Sequence, residues 1–389
     1  MKITYLGDIM PLRDEEMRPR PVCHLAGLKA FLSGSDFVVA NLESPISHEA
    51  TSGSHQLAKY RFVTPYEVAE QVRDAGVTHV SVCNNHSIDQ GFGGLMTTLD
   101  CVREAGLVPL GACRELSDPT YAVLEKDGIR VAVFATTYGT NTHINHIRLT
   151  REQAKHLNLT QEQELFNPLM WKLWWEHRRL YWYSVRFSDN KEARWPCERK
   201  ELSFFKRRRI AKLIREMLQR EKPDVFVMYP HEGGQHRREP MKKAHELFGW
   251  LFKQGADAII CNHEHLVQKA EMQNGRMVTF CLGNVVSYLG VYDRIDDNME
   301  NLSIVLHQYL ERNAAGKVEM RYTFSVAKTH FGAGGLPETR PMHELIAEAT
   351  TDDARAALVA ELNTIGSRFT GHRWEAACPT DAEHPFPAA

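Results

Sequence analysis

Short apolar runs recur along the chain and alternate with segments of helical periodicity. The runs predict strands at Ile3–Leu6, Phe37–Asn41, His79–Cys83, Val131–Ala135, Val225–Tyr229, Ala258–Cys261 and Val278–Leu282. Amphipathic patterns between several of them predict helices at Tyr66–Ala75, Gly94–Ala105, Arg208–Arg220 and Pro240–Gln254. This repeated alternation predicts an α/β fold with helices packed on the faces of a sheet.

One segment interrupts the alternation. From about residue 143 to residue 205 the chain is aromatic and charged, and it contains five of the seven tryptophans: Trp171, Trp174, Trp175, Trp182 and Trp195. We interpret it as a helical insertion whose aromatic side chains either pack on the main domain or form a wall that grips an apolar ligand. The predicted main domain spans residues 1–333 with this insertion, and residues 334–389 form a helical or irregular C-terminal extension.

Composition narrows the class of protein. The chain has 389 residues, of which 43% are hydrophobic, and a formal net charge of -2, which suits a soluble enzyme and argues against nucleic-acid or membrane partners. Its eight cysteines form no CxxC pair, as expected for reduced thiols. Because MKITYLGD enters a strand at once and no apolar run has the length of a membrane helix, we expect a cytoplasmic protein. The sequence gives no prediction of the oligomeric state.

Polar side chains follow the predicted strands at the points where they end. They are Asp8, Asn41, Glu43, Asn84, Asn85, His86, Asp89, His231, Glu232, Asn262, His263, Glu264, His265 and Asn284. Functional groups of α/β sheets gather just past the carboxyl ends of the strands. On an extended segment, the imidazoles of His263 and His265 would lie on one side of the chain and could share an ion. The mixture of nitrogen and oxygen donors predicts a divalent cation site.

The motifs GDIM, NLESPI, NNHSIDQGFGGLMTTLDCVREAGLVPLGA, GADAIICNHEHLVQ and FCLGNVVS, in this order and spacing, resemble the CapA family, which is named for poly-γ-glutamate capsule synthesis. The resemblance runs from about Lys2 to Val286 apart from the aromatic insertion. It implies a calcineurin-like metallophosphatase sandwich, in which two mixed β-sheets are flanked by helices and metal-binding loops line one edge.

The resemblance also implies roles for individual residues. The implied metal-site residues are Asp8, Glu43, Asn85, His231, His263 and His265. His86 takes the place of the acid/base histidine, with Asp89 positioned to orient it. The candidate catalytic groups are His86, Asp89, Asp8, His265, His231 and Glu232, and the candidate substrate contacts are Asn41, Asn84, Trp171 and Trp175. Oxygen ligands favour Ca²⁺, Mg²⁺ or Mn²⁺, whereas the histidines favour Mn²⁺, Fe²⁺ or Zn²⁺.

Two departures from the metallophosphatase pattern change the expected metal content. Asp8 is followed by Ile9 and Met10 where those enzymes carry Asp-x-His. Glu43 follows Asn41 and Leu42 where they carry a bridging aspartate. These departures weaken the two-metal clamp used for phosphoryl displacement, so we expect one metal or a weak second one.

A site of this kind can support more than one chemistry. We predict a metal-dependent peptide epimerase, because the CapA-like family includes an enzyme that inverts the C-terminal tryptophan of a lasso-peptide precursor, and the Trp-rich insertion suits such a peptide substrate. His86 would serve one face of Cα, and His265 or His231, backed by Glu43 or Glu232, the other. The alternatives are a metallohydrolase acting on a phosphoester or a γ-glutamyl or peptide bond, and a polyglutamate or capsule biosynthesis protein in which the metal is structural.

Overall fold

The computed structural model describes residues 1–10, 24–50, 62–145, 147–161, 204–234, 236–286, 299–331 and 337–387. Most of the Trp-rich insertion, with Trp171 and Trp175, therefore lies outside the described residues. None of the described helices is long and apolar enough to cross a lipid bilayer.

Within these ranges, two β-sheets account for most of the strands. The first sheet contains β1 (Lys2–Ile9), β2 (Phe37–Leu42), β5 (His79–Ser81), β6 (Val108–Leu110), β13 (Asn284–Val286), β14 (Leu302–Arg312), β15 (Val318–Phe331), β16 (Pro337–Pro341) and β17 (His384–Pro385). The second sheet contains β7 (Tyr121–Lys126), β8 (Ile129–Thr137), β9 (Val225–His231), β10 (Ala258–Ile260), β11 (Ala270–Gln273) and β12 (Arg276–Thr279). Two short strands, β3 (Ile46–Ser47) and β4 (Thr64–Pro65), pair with each other.

Helices connect and cover the sheets. They are α1 (Lys29–Leu32), α2 (Tyr66–Asp74), α3 (Gly91–Glu104), α4 (Thr142–Asn145), α5 (Phe204–Glu221), α6 (Lys242–Lys253), α7 (Met342–Glu348) and α8 (Asp352–Thr370), with 3₁₀ turns at His24–Leu28 and Gln153–His156. The mixed α/β architecture is the one that the alternating pattern predicts, and each of the four predicted helices is present with ends shifted by a few residues.

Successive side chains of a strand point to opposite faces of its sheet, so alternate residues enter the two layers of core on either side of the second sheet. In β8, Val131, Val133 and Ala135 face the core between the sheets, whereas Ala132 and Phe134 face a second core under α5 and α6. The strand β9 divides in the same way, with Val225, Val227 and Tyr229 inward and Phe226 and Met228 outward. The second sheet is therefore covered on both faces there, which is why Val131–Ala135 of β8, β9 and β10 are apolar at almost every position.

The central strands are parallel, and this decides where the polar side chains meet. Strands β1, β2, β5 and β6 pair in parallel in the first sheet, and β8, β9, β10 and β12 do so in the second. Parallel strands end at the same edge of a sheet, so the residues that follow them are brought together.

The last third of the first sheet and the residues after it form strands and helices that pack together. The long antiparallel hairpin of β14 and β15 extends the first sheet, and β16 adds a further strand to it. On α8, Leu362, Ile365 and Phe369 join the same buried cluster as the residues of β1, because their spacing places them on one face of the helix. Residues 337–387 thus pack as part of the main hydrophobic core.

Candidate metal centre

Five loops and strand ends deliver the candidate site residues to one edge of the sandwich. The first sheet supplies Asp8 within β1, Glu43 after β2, and Asn85 and His86 after β5. The second supplies His231 at the end of β9 and the loop carrying His263 and His265 after β10. The register of the first sheet pairs Asp8 with Asn41 on β2 and with Asn284 on β13. All of these side chains are at most 4% exposed.

Two groups of side chains have the composition and spacing needed to hold cations. One consists of Glu43, His231 and His263, and the other of Asp8, Glu43 and His265. Within each group the potential ligand atoms lie within 4.8 Å of one another. Glu43 belongs to both groups, and its Oε1 lies 3.4 Å from Nε2 of His231 and 3.8 Å from Nε2 of His265. Each group takes ligands from both sheets.

The predicted ligand Asn85 lies beside the first group. Its Oδ1 is 2.8 Å from Nε2 of His231, and Nδ1 of His263 is 2.9 Å from the same nitrogen. In the second group, Oδ2 of Asp8 lies 3.5 Å from Nδ1 of His265. The six predicted ligands are therefore brought together. Five of them form two groups that share Glu43, which favours two cation positions, whereas the sequence departures predict one metal or a weak second one.

Buried polar atoms without hydrogen-bond partners show that the residues present fit a cation. Among the described residues, no hydrogen-bond partner meets Oδ2 of Asp8, either carboxylate oxygen of Glu43 or Nε2 of His263. Leaving buried carboxylate oxygens unpaired costs free energy, and a metal ion would satisfy them. Carboxylate and imidazole donors suit Mn²⁺, Fe²⁺ or Zn²⁺.

Electrostatics within the site favour the charged form of its central carboxylate. Burial alone would raise the pKa of Glu43, but the neighbouring His265, His231 and His86 lower it to about 2. Burial opposes protonation of His265, yet Glu43 and Asp8 raise its pKa to about 10. The negative charge of Glu43 and Asp8 thus favours the protonated form of His265, and the same negative charge would attract a cation. Burial and the surrounding imidazoles lower the pKa of His263, which keeps its lone pair available.

The two histidines of the His-Glu-His stretch converge by a route that differs from the expected extended segment. His263 has φ 128° and His265 has φ 62°, so the backbone turns through the left-handed region. Their ring centroids are 6.1 Å apart. The prediction of an extended conformation is wrong, because β10 ends at Ile260 and the ligands lie in a loop.

His86 forms a buried pair with Asp89. Its Nδ1 lies 2.6 Å from Oδ2 of Asp89, and the same carboxylate accepts hydrogen bonds from the backbone N–H of Phe62 at 2.9 Å and from Nδ2 of Asn145 at 3.2 Å. The Phe62 ring covers the imidazole, with centroids 4.3 Å apart. A carboxylate that accepts three donors holds the imidazole in one orientation, with Nε2 directed away from Asp89.

Three other predicted residues hold neighbouring side chains in position. Nδ2 of Asn41 donates to Asp8 at 2.8 Å, and Asn84 donates to Oδ1 of Asn41 at 3.2 Å. The two asparagines, predicted as substrate contacts, thus hydrogen-bond behind a candidate ligand. Oε1 of Glu232 lies 3.0 Å from Nζ of Lys243, so this carboxylate is paired with a lysine. The predicted substrate contacts Trp171 and Trp175 lie outside the described residues.

Further site residues come from segments that the sequence analysis does not single out. The stretch after β8 brings the Tyr138 ring within 4.8 Å of the His263 ring and places Asn141 and Asn145 beside His86 and Asp89. The sequence feature that could have identified this segment is the polar run Thr136–Asn145. It follows a predicted strand, as the other site segments do. A second histidine–carboxylate pair joins Nδ1 of His236 to Glu300 at 3.1 Å.

A two-sheet α/β sandwich with carboxylates and imidazoles at the strand ends defines a metallophosphatase-like protein with a calcineurin-like fold. The family model for the bacterial capsule synthesis protein PGA_cap matches residues 2–289, and the chain belongs to this family. Two relatives are the capsule biosynthesis protein CapA of Bacillus anthracis, 23% identical, and the PGA biosynthesis protein CapA of Bacillus subtilis (strain 168), 21% identical. The alignments cover 74% and 82% of this chain, but 59% and 70% of the two relatives.

Proposed function

We propose that this chain is a metal-dependent hydrolase that cleaves a phosphoester or a γ-glutamyl or peptide bond. The observation that supports this proposal is the pair of candidate cation groups that share Glu43, with the His86–Asp89 pair next to them. The family membership and the names of the relatives, which refer to capsule and PGA biosynthesis, favour a γ-glutamyl polymer as one of the substrates to test.

The donor set would hold divalent cations through Asp8, Glu43, Asn85, His231, His263 and His265. A bound divalent cation lowers the pKa of water and offsets negative charge that develops on a substrate oxygen. The other contributions come from side chains of the protein. Glu43 stays ionised, because its neighbours lower its pKa to about 2, and His263 stays neutral because its pKa is lowered.

His86 would move the proton. With Nδ1 held by Asp89 at 2.6 Å, its Nε2 is the atom that can carry a proton to the leaving group. The rings of Phe62 and Tyr138, next to His86 and His263, reduce the access of bulk water to this place. Water adds to the phosphorus or carbonyl carbon and releases one proton to solvent, and the bond to the leaving group breaks. The leaving oxygen or nitrogen takes the proton from Nε2 of His86, which regains a proton from solvent.

The first experiment measures cleavage of a chromogenic phosphoester and of a γ-glutamyl oligomer by the Mn²⁺-loaded chain. Replacing His86 by alanine should lower kcat by about 10²–10⁴-fold, as for loss of a general acid–base group. The exposed His372 provides the matched control, since His372→Ala should leave the rate unchanged. Full activity in His86→Ala, or no cleavage of either substrate by the metal-loaded chain, would contradict the proposal.

A specific observation favours epimerisation of a peptide as a second candidate function. His236–Glu300 is a second buried histidine–carboxylate pair, and the His236 ring lies 5.5 Å from the ring of His265. The site region therefore contains two histidine–carboxylate pairs, His236–Glu300 and His86–Asp89. Inversion of a Cα centre by two bases needs one base on each face of that carbon. The second base predicted from the sequence is His265 or His231, and both belong to the candidate cation groups.

Solvent exchange separates the two functions. A lasso-precursor peptide that ends in tryptophan is incubated in D₂O with the metal-loaded chain, and its mass is followed. Gain of one deuterium at the terminal Cα without cleavage would establish epimerisation and exclude the hydrolase for that substrate. Cleavage of a phosphoester or γ-glutamyl bond without deuterium uptake would support the hydrolase and leave the epimerase without support.

A further inference from the structure

The loop after β8 places an asparagine amide next to the nitrogen of His86 that is free of Asp89. Nδ2 of Asn141 lies 3.4 Å from Nε2 of His86, and Oδ1 of Asn141 lies 3.5 Å from the hydroxyl of Tyr138. Because Nδ1 of His86 donates to Asp89, its Nε2 presents a lone pair, and the amide turns its N–H groups toward that side. Asn141 is 5% exposed.

These two contacts are longer than the hydrogen bonds that Asn41, Asn145 and Asn158 make nearby. Asn41 donates to Asp8 at 2.8 Å, Asn145 donates to the carbonyl of Thr140 at 2.8 Å, and Asn158 makes two bonds at 3.0 Å. Well-formed N–H hydrogen bonds span about 2.7–3.2 Å. A buried amide held at 3.4 and 3.5 Å has hydrogen-bonding capacity that an arriving acceptor could use.

The backbone of this loop fixes the position of the amide. Asn141 has φ 50°, the left-handed region that asparagine tolerates better than most residues. The backbone N–H of Asn145 donates to the carbonyl of Asn141 at 2.9 Å and closes the turn α4. The side chain of Asn145 then binds Asp89 at 3.2 Å. The same loop thus hydrogen-bonds Asp89 through Asn145 and places the amide of Asn141 beside His86.

We propose that Asn141 is a catalytic residue whose amide N–H donates to the negatively charged oxygen that develops on the reacting phosphoryl or acyl group. This inference rests on the proposed hydrolase only in placing the reacting group between the candidate cation groups and His86. A fixed donor at this place stabilises the transition state without reorganisation.

Binding of orthophosphate to the Mn²⁺-loaded full chain tests the assignment without turnover. Titration calorimetry compares the wild type with Asn141→Gly, which removes the amide while accepting the positive φ, and with Asn141→Asp, which keeps the shape but replaces the donor by an acceptor. We expect phosphate to bind about 10- to 100-fold more weakly to both variants, as for loss of a hydrogen bond to a charged group. The Mn²⁺ stoichiometry should not change.

Asn274 offers a matched control. It also has positive φ, 53°, and lies in the exposed turn between β11 and β12. Asn274→Gly should bind phosphate as the wild type does. Unchanged phosphate affinity in both Asn141 variants, loss of Mn²⁺ from them, equal weakening in Asn274→Gly, or no binding of phosphate to the wild type would overturn the assignment.

The two proposals can fail separately. If phosphate binding depends on Asn141 but the wild type cleaves no substrate, the hydrolase fails and the anion-binding role of Asn141 stands. If the wild type cleaves its substrate and Asn141→Gly has the same kcat, the role of Asn141 fails and the hydrolase stands. When both hold, kcat should fall by about 10²–10³-fold in Asn141→Gly with little change in KM.

Discussion

Gly7 determines how closely the strand that carries Asp8 can approach its neighbour. A Cβ atom at this position would lie 1.8 Å from the carbonyl oxygen of Gly283. The next residue, Asp8, donates its backbone N–H to the same oxygen at 3.0 Å. Only glycine leaves room for this contact, which sets the position of Asp8 in the second candidate cation group.

Replacing Gly7 by alanine should therefore displace the strand. We expect the free energy of unfolding to fall by about 1–3 kcal/mol, the usual cost of overpacking, and binding of Mn²⁺ to weaken because Asp8 moves. Urea denaturation and metal titration measure the two effects. Gly34→Ala is the control, since a Cβ there meets no atom of the described residues within 4 Å. Equal stability of the two variants would show that the contact between Gly7 and Gly283 is not limiting.

At the residue scale, the sequence identifies side chains that the structure brings together, but not the backbone around them. Asp8, Glu43 and His263 are recognisable because they follow apolar runs, and strand ends converge by the logic of a parallel sheet. The left-handed conformation of His263 and His265 is not recognisable, because histidine in a loop carries no local signal for positive φ and the surrounding structure must stabilise it.

At the scale of secondary-structure elements, the side chain of Glu383 links the segment that precedes β17 to the first sheet. Glu383 accepts hydrogen bonds from Nζ of Lys2 at 2.8 Å, from the hydroxyl of Tyr309 at 2.7 Å and from the hydroxyl of Thr323. Burial alone would raise the pKa of Glu383, but His307, Lys2, Thr323 and Tyr309 lower it to about 2. One carboxylate thus ties together β1, β14, β15 and the C-terminal segment.

This pKa shift predicts how stability depends on pH. The pKa of Glu383 is lower in the folded chain than in the unfolded chain, so the unfolded state binds the proton more readily. The stabilising contribution is fully present above the ordinary glutamate pKa and is lost as the pH falls from about 4.5 toward 2. Urea unfolding should show wild type more stable than Glu383→Gln at pH 7, with the difference shrinking over that range. A difference independent of pH would contradict this role of the carboxylate.

The hairpin of β14 and β15 shows why the hydrophobic pattern of the sequence does not predict every strand. Its strands contain polar residues that interrupt the hydrophobic pattern, and these residues are satisfied by partners distant in sequence. His307 lies between Thr4 and Ser325, at 2.8 and 3.1 Å, and Gln308 accepts from the hydroxyl of Tyr5 at 2.8 Å. By contrast, β8 and β9 are apolar on both faces and are recognisable from local sequence alone.

At the scale of the whole molecule, cation binding should couple the stability of the two sheets. Asp8 and Glu43 come from the first sheet, and His231, His263 and His265 come from the second. A ligand that binds only the folded chain stabilises it by about 2.7 kcal/mol at a concentration 100 times its Kd. The metal therefore adds to the hydrophobic core that already joins the sheets.

Thermal unfolding with and without Mn²⁺ tests this coupling. Saturating Mn²⁺ should raise the Tm of the wild type by several degrees, and a chelator should reverse the increase. Glu43→Gln keeps the size of the side chain but removes the carboxylate common to both groups, so its Tm should respond little to Mn²⁺. A Tm that rises equally in the wild type and in Glu43→Gln would place the bound metal elsewhere.

The division of ligands between the sheets also has a consequence for the order of events during folding. Neither sheet alone contains a complete candidate cation group, because Glu43 needs His231 and His263, or Asp8 and His265. An intermediate in which each sheet has formed but the two have not docked would lack these groups. Uptake of metal during refolding would then report the docking step itself, and its rate could be compared with the formation of secondary structure.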